Sequence, residues 1–134
     1  MAKLIIRDFV DTIEKRVQEK RPLIQVILGP RQVGKTTGIK QFLVKIKSPY
    51  VYASADDVIS PGRIWLLEKW QAALLEGKGV ILVVDEIQKI PNWPEVIKKL
   101  WDKEERGQVK LILLGSSSDR SPHLLNKFAE KTAN

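Results

Sequence analysis

Cysteine is absent from the 134 residues. Its absence excludes disulfides, thiolate metal sites and cysteine nucleophiles, and is compatible with a reducing compartment. The single histidine, His123, argues against a metal centre built from imidazoles. No apolar run reaches eighteen residues, so no membrane span is expected. The opening MAKLIIRDFVDTIEKR carries acids early and lacks a small-residue cleavage site, so no signal peptide is expected and a cytoplasmic location is assigned. No repeat, low-complexity stretch or linker divides residues 1–134, which read as one domain.

Acidic residues are also in the minority, 16 against 23 Lys and Arg, for a net charge of +7. The excess is local. Residues 1–49 hold eleven Lys/Arg and four Asp/Glu, whereas residues 50–134 hold twelve of each. A basic field of this kind draws in a polyanionic nucleotide. It is also the footprint of a nucleic-acid surface, but no interleaved aromatic stripe accompanies it to stack bases. The nucleotide is therefore the favoured partner, and nucleic acid is not.

What is present is an alternation of apolar runs and helical periodicity. Ile6, Val10, Ile13 and Val17 predict a helix from residue 4 to about 20, ended by Arg21-Pro22. The run Leu23 to Gly29 reads as a buried strand, and Gly34 to Ile46 as a helix with Ile39, Phe42, Leu43 and Ile46 on one face. Tyr50 to Ser54 is a second strand. A helix from Pro61-Gly62 to Glu76 would carry Ile64, Leu67, Gln71 and Leu74 on one side. Val80 to Asp85 is the third strand. Asn92 would cap the next helix, with Glu95 completing a capping-box-like pair and Trp93, Val96, Ile97, Leu100 and Trp101 as its core stripe. Gly107 stops it, and Val109 to Ser116 is the fourth strand. Nearly all-apolar strands alternating with helices predict an α/β fold, a parallel sheet covered on both faces by right-handed crossovers.

The strongest chemical signal is Gly29-Pro30-Arg31-Gln32-Val33-Gly34-Lys35-Thr36, a full match to GxxxxGK[ST] between a strand and a helix. A triphosphate needs many donors converging on its oxygens, and successive backbone N–H groups of a wrapped loop supply them. Gly29 and Gly34 permit the close approach. The helix starting at Gly34 aims its positive end at the anion. Lys35 would reach the β- and γ-phosphates, the Thr36 hydroxyl would ligate Mg²⁺, and Thr37 completes the binding stretch. A glycine turn that only capped a helix would have no use for Lys and Thr at these offsets. Arg31 could contact phosphate or pair with an acid.

The second signal is the apolar strand ending in Asp85-Glu86. It places carboxylates at the sheet edge where α/β proteins bind ligands. Asp85 would hold Mg²⁺ through water, and Glu86 is the candidate base polarising the attacking water. The third is Gly115-Ser116-Ser117-Ser118. Beside the first strand, Ser116 or Ser117 could sense the γ-phosphate; alternatively this is an ordinary serine-rich loop. Trp65, Trp70, Trp93 and Trp101 are expected mostly to pack. Asp56 and Asp57 could touch metal or a partner, or simply solvate a turn.

In order and spacing, GPRQVGKTT, LVVDEIQKIPNW and LLGSSS resemble the AAA-type P-loop ATPases of bacteria and archaea. More narrowly they resemble the group whose ATPase domain precedes a C-terminal domain of unknown function. The likeness covers roughly residues 5–118. It implies a three-layer P-loop NTPase sandwich in which the fourth strand lies between the first and third, in spatial order 2-3-4-1. It also implies that Lys35 and Thr36 bind phosphate and metal, Asp85 holds Mg²⁺, Glu86 activates water and Ser116 or Ser117 acts as the sensor. With no Asn-Lys-x-Asp segment, the resemblance favours ATP over GTP. The chain departs from the family after Ser118. DRSPHLLNKFAEKTAN lacks the family's arginine motif, fifth strand and lid, so a truncated member with the first strand at the sheet edge is expected. ATP hydrolysis with Mg²⁺ is the expected activity. Without the arginine motif, a nucleotide-operated switch acting on a protein partner or on further copies of the chain is the alternative.

Overall fold

The structure is a computed structural model, and it describes residues 11, 13–15, 17, 24–29, 35–103, 108–116 and 123–124. Strand alternation builds it. In β3 (Val80–Asp85), buried along its whole length, Val80, Leu82 and Val84 face one helical layer and Ile81 and Val83 the other. β1 (Ile24–Gly29) and β4 (Val109–Ser116) split in the same way, with Ile24, Val26, Leu111 and Leu113 on the first face and Ile27, Ile112 and Leu114 on the second. β2 is Tyr50–Ser54, on the outside of β3.

Among the described residues, three helices and a helical fragment cover the two faces. α1 (Lys35–Lys45) places Ile39, Phe42 and Leu43 on the second face, beside Ile13 and Val17 from the helical residues before β1. Lys110 Nζ, from β4, donates to the Val17 carbonyl. α2 (Arg63–Glu76) and α3 (Trp93–Lys103) cover the first face. The core is thus two apolar clusters separated by the sheet. Ile6, Val10, Arg21-Pro22, Leu23 and Gly107 lie outside the described residues.

The four parallel strands stand in the expected order, 2-3-4-1. Registers run Ile24↔Leu111 to Gly29↔Ser116, Tyr50↔Ile81 to Ser54↔Asp85, and Val80↔Val109 to Val84↔Leu113. β1 is not a bare edge, however. A two-residue strand β5 (His123–Leu124) pairs with it antiparallel through Leu28↔His123 and Ile27↔Leu124. No parallel fifth strand and no lid occur among the described residues.

Two local expectations are corrected. On α2 the buried side is Leu66, Trp70 and Ala73, not the stripe through Ile64 and Leu67, which are 68% and 40% exposed. The sequence RIWLLEKWQAALLE is apolar on both sides, so periodicity offers two stripes, and the wide indole of Trp70 occupies the core-facing one. Before α3, Asn92 does not adopt the extended geometry of a side-chain cap. Its φ is 55°, and its carbonyl accepts from the amides of Glu95 and Val96. α2 ends at Gly77 (φ 122°), whose N–H donates to the Leu74 carbonyl, and the turn closes through Gly79 (φ 78°), both requiring glycine.

Trp70 and Trp101 meet edge to face across the first layer, ring centroids 6.5 Å apart at 81°, while Trp65 and Trp93 pack against the same cluster. The tryptophans are therefore packing groups, as expected. Trp70→Ala should destabilise the protein by about 3–5 kcal/mol. Leu75→Ala, at an 88% exposed position, should shift stability by no more than about 0.5 kcal/mol. Urea unfolding midpoints of the two variants check both values.

Candidate functional site

All four parallel strands point their C-terminal ends to one edge of the sheet, and the candidate groups gather there. Alternation carries Asp85 onto the same face as Ile81 and Val83, under α1. The Asp85 side chain is buried, at 3% exposure, so its lone pairs need donors. Three arrive from three parts of the chain. The Thr36 hydroxyl, at the start of α1, donates to Oδ2 at 2.6 Å. The Tyr52 hydroxyl, from β2, donates to the same oxygen at 2.5 Å. The Glu86 amide donates to Oδ1 at 2.8 Å.

The same surroundings act on Tyr52. Burial, then the hydrogen bond to Asp85 and the negative charges of Asp85 and Asp57, push its phenol well above the ordinary tyrosine value; the Thr36 hydroxyl opposes them. Tyr52 is thus held as a neutral donor. The Lys40 ammonium sits 4.9 Å from the centre of its ring.

Past Asp85 the chain turns sharply. Glu86 takes a left-handed conformation (φ 56°, ψ 42°) before the short 3-10 turn Ile87–Lys89. For a non-glycine residue this geometry costs of order 1 kcal/mol or more, and such outliers cluster at functional sites. Glu86 Oε2 accepts from Gln88 Nε2 at 3.0 Å, and Gln88 Oε1 accepts from the Ser116 amide at 3.0 Å. Ser116 pairs with Gly29, the residue at which β1 gives way to the loop. The Ser116 Oγ is buried and meets no hydrogen-bond partner among the described residues.

The structure therefore brings together Thr36, Asp85, Glu86, Ser116 and the backbone of Gly29. Lys35 opens α1, with its side chain outside the described residues, and Thr37 is exposed. Pro30, Arg31, Gln32, Val33, Gly34 and Ser117 also lie outside them. Asp56 and Asp57 are exposed in the 3-10 turn after β2, where Asp56 pairs with Lys89 and the charge of Asp57 reaches Tyr52. Two groups escaped sequence reasoning, Tyr52 and Gln88. Tyr52 belongs to no motif; its signal is a polar-tipped aromatic two residues before the end of a strand pairing with the Asp85 strand. Gln88 has a weaker one, an amide two residues after Glu86.

An open groove of about 910 Å³ lies elsewhere, between α2 and α3, lined by Ile64, Leu67, Val96 and Leu100 with Arg63, Lys89, Lys99 and Lys103. It holds none of the groups gathered around Asp85. No helix among the described residues is long and apolar enough to cross a membrane.

A protein-family model described as an AAA domain matches residues 21–134. Among solved structures, the RuvB Holliday junction branch migration motor of Thermotoga maritima aligns with a TM-score of 0.51 and 16% identity, covering 86% of this chain and 37% of that one. Two point mutants of the same RuvB align at TM-scores of 0.52, with 14% and 17% identity, each covering 88% of this chain and 38% of theirs. The chain thus spans under two-fifths of these structures, and the likeness is one of fold. No curated protein matches significantly.

The Tyr52 shift has a pH consequence. The folded state holds this proton more tightly than the unfolded chain, whose tyrosine titrates near about 10. The resulting stability is fully present below about pH 10 and is lost as pH rises above it. Unfolding free energies measured from pH 8 to 12 should show the advantage of wild type over Tyr52→Phe shrinking above about pH 10.

Proposed function

This chain belongs to the AAA domain family, and on that premise we propose that it binds ATP with Mg²⁺ at the sheet edge beneath α1 and hydrolyses it to ADP and phosphate. The observation that carries the reading is the 2.6 Å hydrogen bond from Thr36 Oγ1 to Asp85 Oδ2, between residues 49 positions apart. A phosphate-loop hydroxyl and a strand-end carboxylate have no local reason to meet; a shared metal site gives them one.

The donor set fits Mg²⁺. A hydroxyl and a carboxylate are hard oxygen ligands, and Mg²⁺ commonly takes only one or two protein ligands, leaving the others to water and substrate phosphates. Thr36 and Asp85 would hold the ion, which, when bound, neutralises charge on the phosphate oxygens.

The chain's own groups account for the rest. The loop Gly29–Gly34 would wrap the phosphates with backbone N–H donors, and Lys35 would add a positive charge at the β- and γ-phosphates. Tyr52 fixes the rotamer of Asp85 without adding charge. Glu86, one residue beyond Asp85 and anchored by its own backbone bond to that carboxylate, would accept a proton from the attacking water. The Ser116 Oγ, next to Gly29 and without a partner among the described residues, could donate to a γ-phosphate oxygen.

Phosphate release with Mg-ATP, together with binding of a fluorescent ATP analogue, tests this. Lys35→Ala should weaken nucleotide binding by tenfold or more, with roughly that loss in turnover at limiting ATP. Glu86→Gln should bind as wild type does and release phosphate at least about 100-fold more slowly. A Lys35→Ala protein as fast as wild type would end the hydrolytic reading.

A further inference from the structure

The amide of Gln88 is used at both ends. Nε2 donates to Glu86 Oε2 and Oε1 accepts from the Ser116 amide, each at 3.0 Å. One rigid, planar group therefore joins the acid beyond β3 to the last residue of β4. Ser116 pairs in turn with Gly29, where the loop begins. The path from Gly29 to Glu86 has three links, each a hydrogen bond or a strand pairing.

The surroundings are shaped for this bridge. A Cβ on Gly115 would stand 2.8 Å from Leu28 Cδ2, 2.9 Å from Gln88 Oε1 and 3.1 Å from Ile87 Cγ2. A larger residue there would force the ends of the Leu28 and Gln88 side chains to shift. At the other end, the backbone of Glu86 is held in a conformation that non-glycine residues avoid, two residues before Gln88.

We infer that Gln88 is a positioning residue for Glu86, fixing the plane of its carboxylate and tying that orientation to the end of β4, so that a displacement at Ser116 is passed to the acid. The inference rests on the hydrolytic reading for its effect on turnover, but the bridge itself is testable without turnover. A carboxylate acting as a base works best with its direction set by a donor on the non-reacting oxygen, as other orienting groups do for their partners. Gln88 supplies that donor, and its other end supplies the reference frame.

Two variants separate the arms. Gln88→Ala removes both. Gln88→Glu keeps the size and an acceptor for the Ser116 amide, but replaces the donor to Glu86 with an oxygen. Both should lower kcat by about tenfold to hundredfold while the Kd for a fluorescent ATP analogue stays within about twofold. In a Glu86→Gln background, Gln88→Ala should cause no further loss, because the group it positions is gone. Wild-type kcat in Gln88→Glu would overturn the inference, as would an equal further loss on Glu86→Gln. Amide hydrogen exchange with and without Mg-ATPγS decides the bridge independently of hydrolysis. Protection of the 86–90 segment and of Ser116 should change together in wild type and separately in Gln88→Ala. Nucleotide that binds while these segments respond independently in wild type overturns the inference. Nucleotide that binds with coupled exchange but no phosphate release leaves the bridge standing and overturns only the hydrolytic reading.

Discussion

The carboxylate of Asp85 is where three separate stretches of the chain meet: α1 through Thr36, β2 through Tyr52 and the turn after β3 through the Glu86 amide. A buried carboxylate without donors is among the most costly features a small core can contain. Here the cost is offset by two hydroxyls and a backbone N–H, and none of them lies within its own strand. The arrangement locks α1 and β2 to the end of β3 and leaves Asp85 in one orientation.

That meeting depends on sheet order. Because β4 lies between β1 and β3, the outer two stand about 10 Å apart at a strand spacing of about 4.8 Å. Thr36, which follows β1, must span β4 to reach Asp85. On β4 itself, the missing side chain of Gly115 leaves room for the Gln88 amide.

Much of this was legible in the sequence. The four parallel strands were bounded to within a residue, because a strand buried on both faces is an apolar run and such runs are bounded by turn residues. Thr36, Asp85 and Glu86 stood out because the chemistry proposed for them needs fixed offsets from glycine or from a strand end. Strand order was not readable from periodicity, since pairing is a long-range choice, and it came only through the family likeness. The stripe on α2 was misassigned because Ile64/Leu67 and Leu66/Trp70 are equally periodic, and only the neighbouring sheet chooses between them. Asn92 is the residue type of a cap, yet its positive φ is set by the turn before it. β5 covers two residues of an edge expected to be open, on too little sequence to signal a strand. Tyr52 and Gln88 act through partners 33 and 28 residues away, at distances where local pattern carries no information.

The division of the core has an optical corollary. All four indoles belong to the layer of α2 and α3, whereas the opposite layer, under α1, holds Phe42 and Tyr52 but no tryptophan. Emission excited at the red edge of protein absorbance therefore originates on one side of the sheet. The light this molecule gives off is a gauge of that side alone, and it speaks for the other only where the two layers move as one.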